Sequence, residues 1–247
     1  MPQPNIVICS DREALNRKTA QLLVQLTGQA IVTNRRATLA LSGGSTPKSL
    51  YELLATAEWR ERIDWANLHL FLGDERYVPP DHPDSNFGMA SKAMISKVPI
   101  PPQNVHRVLT ELPSPEEAAT NYERVLREAF ATNKTPQFDV VLLGLGENGH
   151  TASLFPHTTV LKDNAHIFAS VWVEEVKAYR LTLTAQVINF AKNIVFMISG
   201  ASKAGVLKEI LYGPYEPERL PAQLIKPVSG SLRWIVDQAA AAELPKQ

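Results

Sequence analysis

Phe138 to Pro156 reads FDVVLLGLGENGHTASLFP. Its apolar run, Val140 to Leu143, opens with two β-branched residues and shows no polar alternation. That is how a strand buried on both faces of a parallel sheet reads. Gly144, Gly146 and Gly149 then interrupt the regular backbone, and His150 stands just past the strand's end. Thr151 to Leu154 is predicted to open a helix. Open α/β sheets hold ligands beyond the carboxyl ends of their strands. Histidine, with an unperturbed pKa of about 6.5, suits proton transfer at neutral pH. His150 is therefore the catalytic candidate, although a surface or capping histidine has the same local pattern, and the other segments must decide.

Outward from this stretch the strand–turn–helix pattern repeats. Ile6 to Cys9, Thr38 to Leu41, Leu68 to Leu72, Asn193 to Ser199 and Leu232 to Val236 are predicted strands. Ser10 with Glu13 forms a capping box, and Leu15, Thr19, Leu22 and Leu26 continue at helical spacing until Gly28 supplies a stop. Thr46 and Pro47 are predicted to cap and start a second helix, with Leu50, Leu53, Leu54 and Ala57 on its buried face. Residues 77–88 read as a loop at the sheet's edge and Ser85 to Ile95 as a helix. Ser114 to Glu117 caps an amphipathic helix through Ala118, Tyr122, Val125 and Ala129, and the Ala-rich tail is predicted helical. Ile167 to Val173 and Arg180 to Thr184 are β segments by composition. Strands alternating with helices argue for a parallel sheet covered on both sides. The predicted fold is a single doubly wound, mostly parallel α/β sheet of Rossmann-like type, with a small antiparallel appendage near residues 165–184. No linker or repeat divides residues 1–247, which read as one domain.

Twenty-five basic residues balance twenty-five acidic ones, so no global field favours nucleic acid or an anionic membrane. Neither is expected as a partner, and any anion site must be local. The lone Cys9 lies in an apolar run and cannot form an internal disulfide, which fits a reducing compartment. No signal-peptide pattern opens the chain, and no apolar run approaches the roughly 18 residues of a membrane span. A cytoplasmic protein, monomeric or weakly dimeric, is expected.

Three further loops fall at predicted strand ends. Ser42-Gly43-Gly44-Ser45-Thr46 precedes a helix. Its backbone N–H groups and the helix dipole, worth roughly half a positive charge, favour an anion such as phosphate. Neither the GxxxxGK[ST] nor the GxGxxG spacing is present. Asp74-Glu75-Arg76 offers two carboxylates and a guanidinium to the same rim as His150, or else a solvated loop of surface ion pairs. Lys203 begins a helix, where a cation opposes the dipole unless an anion is bound. Arg180, in an otherwise uncharged β segment, suits bidentate phosphate binding; pairing with a neighbouring carboxylate is the alternative for both. Asp81, His82 and Asp84 match no established metal spacing, and no metal or cofactor is expected. There is no GxSxG elbow, so water or a substrate hydroxyl is the expected nucleophile.

Together, SGGSTPKSLYELL (42–54), FLGDERYVPPDHPDSNFGMA (71–90), LLGLGENGHTASLFP (142–156) and SGASKA (199–204) resemble the glucosamine-6-phosphate isomerase/6-phosphogluconolactonase family, on its lactonase branch. The resemblance runs from about residue 5 to 242. It implies metal-free hydrolysis of a phosphosugar lactone in the pentose phosphate pathway, with His150 as general base. It also implies that the Ser42–Thr46 backbone, Lys203 and Arg180 anchor phosphate, and that Arg76 with Asp74 lies near the sugar ring. Two departures stand out. The family's Asp before Gly-His is Asn148 here, so Glu147 is a candidate for orienting His150 across the loop of Glu147, Asn148 and Gly149. Lys177-Ala178-Tyr179 replaces the prolines common before the Arg of the RLTLT segment. The competing expectations are a sugar-phosphate isomerase or deaminase, and a silent sugar-phosphate sensor. An unperturbed His150 would place the acid limb of activity near pH 6.5.

Overall fold

The computed structural model describes residues 4–245. In chain order its elements are β1 (Ile6–Cys9), α1 (Arg12–Asn34), β2 (Ala37–Leu41), α2 (Ser45–Leu54), α3 (Ala57–Arg60), β3 (Leu68–Leu72), β4 (Asp74–Arg76), α4 (Asn86–Ala93) and β5 (Val105–His106). There follow α5 (Pro115–Ala129), β6 (Val140–Leu143), β7 (Phe168–Val173), β8 (Ala178–Leu183), α6 (Ala185–Phe190), β9 (Asn193–Ile198), α7 (Ala204–Tyr212) and β10 (Ser231–Asp237).

Seven strands form one sheet in the order β1-β10-β9-β6-β2-β3-β5, and every pairing in it is parallel. The fold class expected from the sequence is the one observed. Side chains alternate across the strands, so each strand feeds two cores. Ala40, Val141, Leu143, Ile194 and Phe196 pack beneath α5, α6 and the second sheet. Leu39, Leu41, Val140, Leu142, Val195 and Met197 pack beneath α1 and α2. Burial on both faces is the reason these strands carry no polar alternation.

From β2 the chain winds outward through β3 to β5, then returns to β6 on the other side of β2 and winds towards β9 and β10. The switch point lies between β2 and β6, and a crevice opens there beyond their carboxyl ends. The second sheet, β4-β8-β7, is antiparallel. It is the expected appendage with one strand more. Asp74 to Arg76, read as a loop, is β4, pairing Asp74 with Thr182 and Arg76 with Arg180. Two backbone bonds bridge the sheets at Gly73: its N–H donates to Leu41 O at 2.8 Å, and its carbonyl accepts from Leu183 N at 2.9 Å. Three charged residues in a row hid a strand that is paired along one edge only.

Five local expectations are corrected. The cap of α1 is Asp11, whose carboxylate accepts from Ala14 N at 2.8 Å. That helix runs through Gly28 to Asn34 because Thr27 and Ala30 are buried, and their burial outweighs the roughly 1 kcal/mol cost of a helical glycine. Gly44, not Thr46, caps α2. Thr151 to Leu154 forms an isolated antiparallel bridge, with Ala152 at φ 46°, instead of a helix. The Ala-rich tail is a run of turns, since the Asp237 carboxylate accepts from Ala240 N at 2.8 Å and draws the chain back. Among the described residues no helix is long and apolar enough to cross a membrane.

Candidate active site

A cleft of about 250 Å³ lies at the switch point, room for one small molecule. Its walls come from the ends of β2, β6 and β9 and from β4, and they include Ser42 to Pro47, Asp74, Arg76, Asn86, His150, Thr151, Ser199 and Lys203.

One wall is a backbone cradle. Gly44 sits at φ 100°, a left-handed value that glycine tolerates without strain, and it enters α2 with no side-chain cap. Ser45 and Thr46, which open α2, line the cleft, and N–H groups in the first turn of a helix lack intrahelical partners. Ser42 N is not among the available donors, because it donates to the Tyr51 hydroxyl at 2.9 Å while that hydroxyl donates back to Ser42 O at 2.8 Å. A Cβ on Gly43 would lie 2.0 Å from Asn86 Oδ1, so this glycine exists to let Asn86 in. Ser199, at the end of β9, is held by Asp237 at 2.5 Å and by Arg12 Nε at 3.0 Å. Lys203 follows at the start of α7, 3.7 Å from Glu147.

The opposite wall is side chains from the small sheet. Asp74 is buried and its carboxylate accepts from Ser153 Oγ at 2.8 Å. Burial pushes its pKa up, opposed by Arg76, Ser153 and Arg180. Glu75 alternates to the other face and lines no part of the cleft. Its carboxylate accepts from Asn86 N at 2.7 Å, Phe87 N at 2.8 Å, Arg76 N at 2.8 Å and Ser85 Oγ at 3.1 Å. It thus docks α4 onto β4, and only one carboxylate of the triplet reaches the rim. Arg76 stands beside Arg180 in register, and burial with the neighbouring Arg76 charge lowers the Arg180 pKa.

His150 lies between the two walls. Its ring stacks on Phe155 with centroids 4.0 Å apart and planes 14° from parallel. A Cβ on Gly146 would come within 2.1 Å of His150 Nδ1, and one on Gly149, at φ 82°, within 2.6 Å of Leu220 Cδ2. Both glycines are required by close approach. His150 Nδ1 is 2.6 Å from Asn148 Oδ1, which also accepts from His150 N at 3.1 Å. Asn148 Nδ2 donates to Glu175 Oε2 at 2.7 Å. A carboxylate only accepts, so the amide's NH₂ must face Glu175 and its oxygen the imidazole. A neutral His150 therefore carries its proton on Nδ1 and leaves Nε2 unprotonated. Burial, then the charges of Lys203, Arg180 and Arg76, push its pKa down to about 4. That lies well below the 6.5 of an unperturbed imidazole.

Of the residues singled out from the sequence, Ser42, Gly43, Gly44, Ser45, Thr46, Asp74, Arg76, His150 and Lys203 converge on the cleft. Glu147, Asn148, Gly149 and Arg180 stand outside its lining, though the Arg180 charge reaches His150. Glu147 turns to Lys203 instead of orienting the imidazole. Sequence reasoning missed Asn86, Ser153, Ser199 and Glu175. Ser199 sits within the SGASKA motif and was findable; Glu175 is a hairpin-tip residue that nothing local distinguishes. Among the described residues no cluster of three or more His, Cys, Asp or Glu side chains is placed to hold a metal.

Comparison with known proteins places these features in a lineage. The family model described as glucosamine-6-phosphate isomerases/6-phosphogluconolactonase matches residues 10–234. A 6-phosphogluconolactonase of Synechocystis sp. is 40% identical over 243 residues, spanning 98% of each chain. The Homo sapiens 6-phosphogluconolactonase is 38% identical, over 97% of this chain and 94% of its own length. The solved structure of 6-phosphogluconolactonase from Trypanosoma cruzi superposes with a TM-score of 0.86 at 29% identity, covering 99% of this chain and 98% of that one. A monomeric glucosamine-6-phosphate deaminase shares the fold, at a TM-score of 0.81 and 22% identity over 97% of this chain and 99% of its own.

Proposed function

The chain belongs to the glucosamine-6-phosphate isomerase/6-phosphogluconolactonase family, and from that membership and the cleft's geometry we propose that it hydrolyses 6-phospho-D-glucono-1,5-lactone to 6-phospho-D-gluconate in the pentose phosphate pathway. The observation that carries the reading is a half-buried His150 whose Nδ1 is committed to Asn148, leaving Nε2 as a base in the cleft that also holds an anion cradle.

In this mechanism the substrate phosphate sits against the N–H groups at the start of α2 and near Lys203, with Arg180 contributing charge from behind Arg76. Anchoring the phosphate fixes the lactone carbonyl relative to His150, which lowers the barrier by removing a search in orientation. His150 Nε2 takes a proton from water as the water oxygen bonds to C1. The tetrahedral intermediate then collapses: the C1–ring-oxygen bond breaks, and the imidazolium returns its proton to the departing ring oxygen. The product acid ionises to the gluconate. Backbone N–H groups near the cleft stabilise the developing oxyanion, and Asp74 with Arg76 contacts the sugar hydroxyls. Burial and three nearby cations keep the imidazole neutral and ready as a base, and the bound phosphate offsets the cations as the imidazolium forms.

The test is hydrolysis of freshly generated 6-phosphogluconolactone, corrected for spontaneous hydrolysis, with EDTA present. The wild type is expected to turn over rapidly. H150A is expected to lose about 10²- to 10⁴-fold in kcat while still binding 6-phosphogluconate. Undiminished turnover by H150A would remove the imidazole from the chemistry. A folded wild type that instead releases ammonia from glucosamine 6-phosphate would move the chain to the deaminase branch.

A further inference from the structure

The tip of the β7–β8 hairpin touches the catalytic loop through one side chain. Glu175 lies in the turn between Val173 and Ala178, on an exposed segment outside the cleft. Its Oε2 accepts from Asn148 Nδ2 at 2.7 Å, and Asn148 Oδ1 in turn meets His150 Nδ1 at 2.6 Å. An amide flipped by 180° would present its NH₂ to Nδ1, move the imidazole proton to Nε2 and disable the base. Two groups oppose that flip: the His150 backbone N–H, at a longer 3.1 Å, and the Glu175 carboxylate, which only accepts.

We propose that Glu175 is a positioning residue that acts through Asn148 to hold His150 in its Nδ1–H tautomer, supplying at one remove the carboxylate that the family's pattern places beside Gly-His. Accepting from the amide N–H also raises the electron density on the amide oxygen. The two hydrogen bonds then strengthen one another as the imidazolium forms. The proposal rests on His150 being the base. It gives the hairpin a task beyond carrying Arg180, because the position of its tip sets which imidazole nitrogen is free.

The test combines ¹⁵N NMR of the His150 ring with steady-state kinetics on the wild type, E175A, N148D and the N148D/E175Q double variant. The wild type should show protonated Nδ1. E175A should lose part of that tautomer and about 3- to 10-fold in kcat, with KM little changed. N148D alone sets two carboxylates face to face and should lose at least as much. N148D/E175Q restores a donor opposite an acceptor and should recover kcat relative to N148D. Wild-type tautomer and kcat in E175A would overturn the proposal, as would a double variant no better than N148D. A shifted tautomer with unchanged kcat would keep Glu175's hold on the ring and count instead against His150 as the base.

Discussion

The two walls of the cleft are built from different material. The β2–α2 wall presents backbone to the cleft: glycines and the start of a helix that follows directly from a strand of the sheet. The β4–β8 wall presents side chains, Asp74 and Arg76, with Arg180 paired to Arg76 across the strands, and their direction depends on strand register. A one-residue slip of β4 would send Asp74 and Arg76 to the far face and bring Glu75 to the cleft. The docking of Glu75 onto three groups at the start of α4 opposes that slip. A backbone site tolerates changes of side chain but not of glycine, whereas a side-chain site depends on what lies behind it.

Among variants that keep the imidazole, the largest effect should come from blocking the close approach of Gly146 to His150. G146A sets a methyl against the imidazole and should cost about 100-fold in kcat, as expected for a displacement on the order of 1 Å. Wild-type kcat would mean the loop opens readily and that His150 is not held by shape. K203A removes a charge-assisted contact and should raise KM for the phosphorylated lactone about 10- to 100-fold. An unphosphorylated lactone should be unaffected, and an equal loss for both would contradict a phosphate role.

Smaller effects test the side-chain wall. Arg76 and Arg180 are like charges directly opposite on antiparallel strands, an arrangement that costs stability. R180Q should therefore raise the Tm of the ligand-free protein by about 1–2 °C. It should also reduce the further rise on adding 6-phosphogluconate. A lowered Tm would show that attraction to Asp74 outweighs the repulsion. The smallest change expected is in pH. A pKa of about 4 for His150 means that acidification from pH 7 to pH 5 protonates little of it. The imidazole should remain about nine-tenths neutral at pH 5, followed by NMR titration of the free enzyme. The acid limb of kcat/KM assigned to His150 should then fall near pH 4, apart from ionisation of the substrate phosphate. A midpoint near 6.5 would mean that water screens the cations and the cleft is wetter than its burial implies.

Much of this site is legible in the sequence. Val140 to Leu143 announces a doubly buried strand, because nothing polar is tolerated on either face, and Gly144 to His150 announces where it stops. Ser42 to Thr46 and Lys203 fall at strand ends for the same reason. What was not legible has a common cause. Asp74 to Arg76 carries no strand pattern, since β4 is three residues long and belongs to the second sheet. Gly28 reads locally as a helix stop because its cost is local, whereas the burial that offsets it lies one residue before it and two after.

The sequence alone determined the parallel sheet and the order of the loops at its strand ends, since periodicity and glycine placement are properties of neighbouring residues. The tertiary structure alone decided that Glu75 is a dock while Asp74 faces the cleft. It also decided that burial and nearby cations depress the His150 pKa and that Asn148 meets His150 Nδ1 with its oxygen and Glu175 with its amide. Each of these depends on a contact between residues distant along the chain, and local sequence carries no record of which side chains will meet across a sheet.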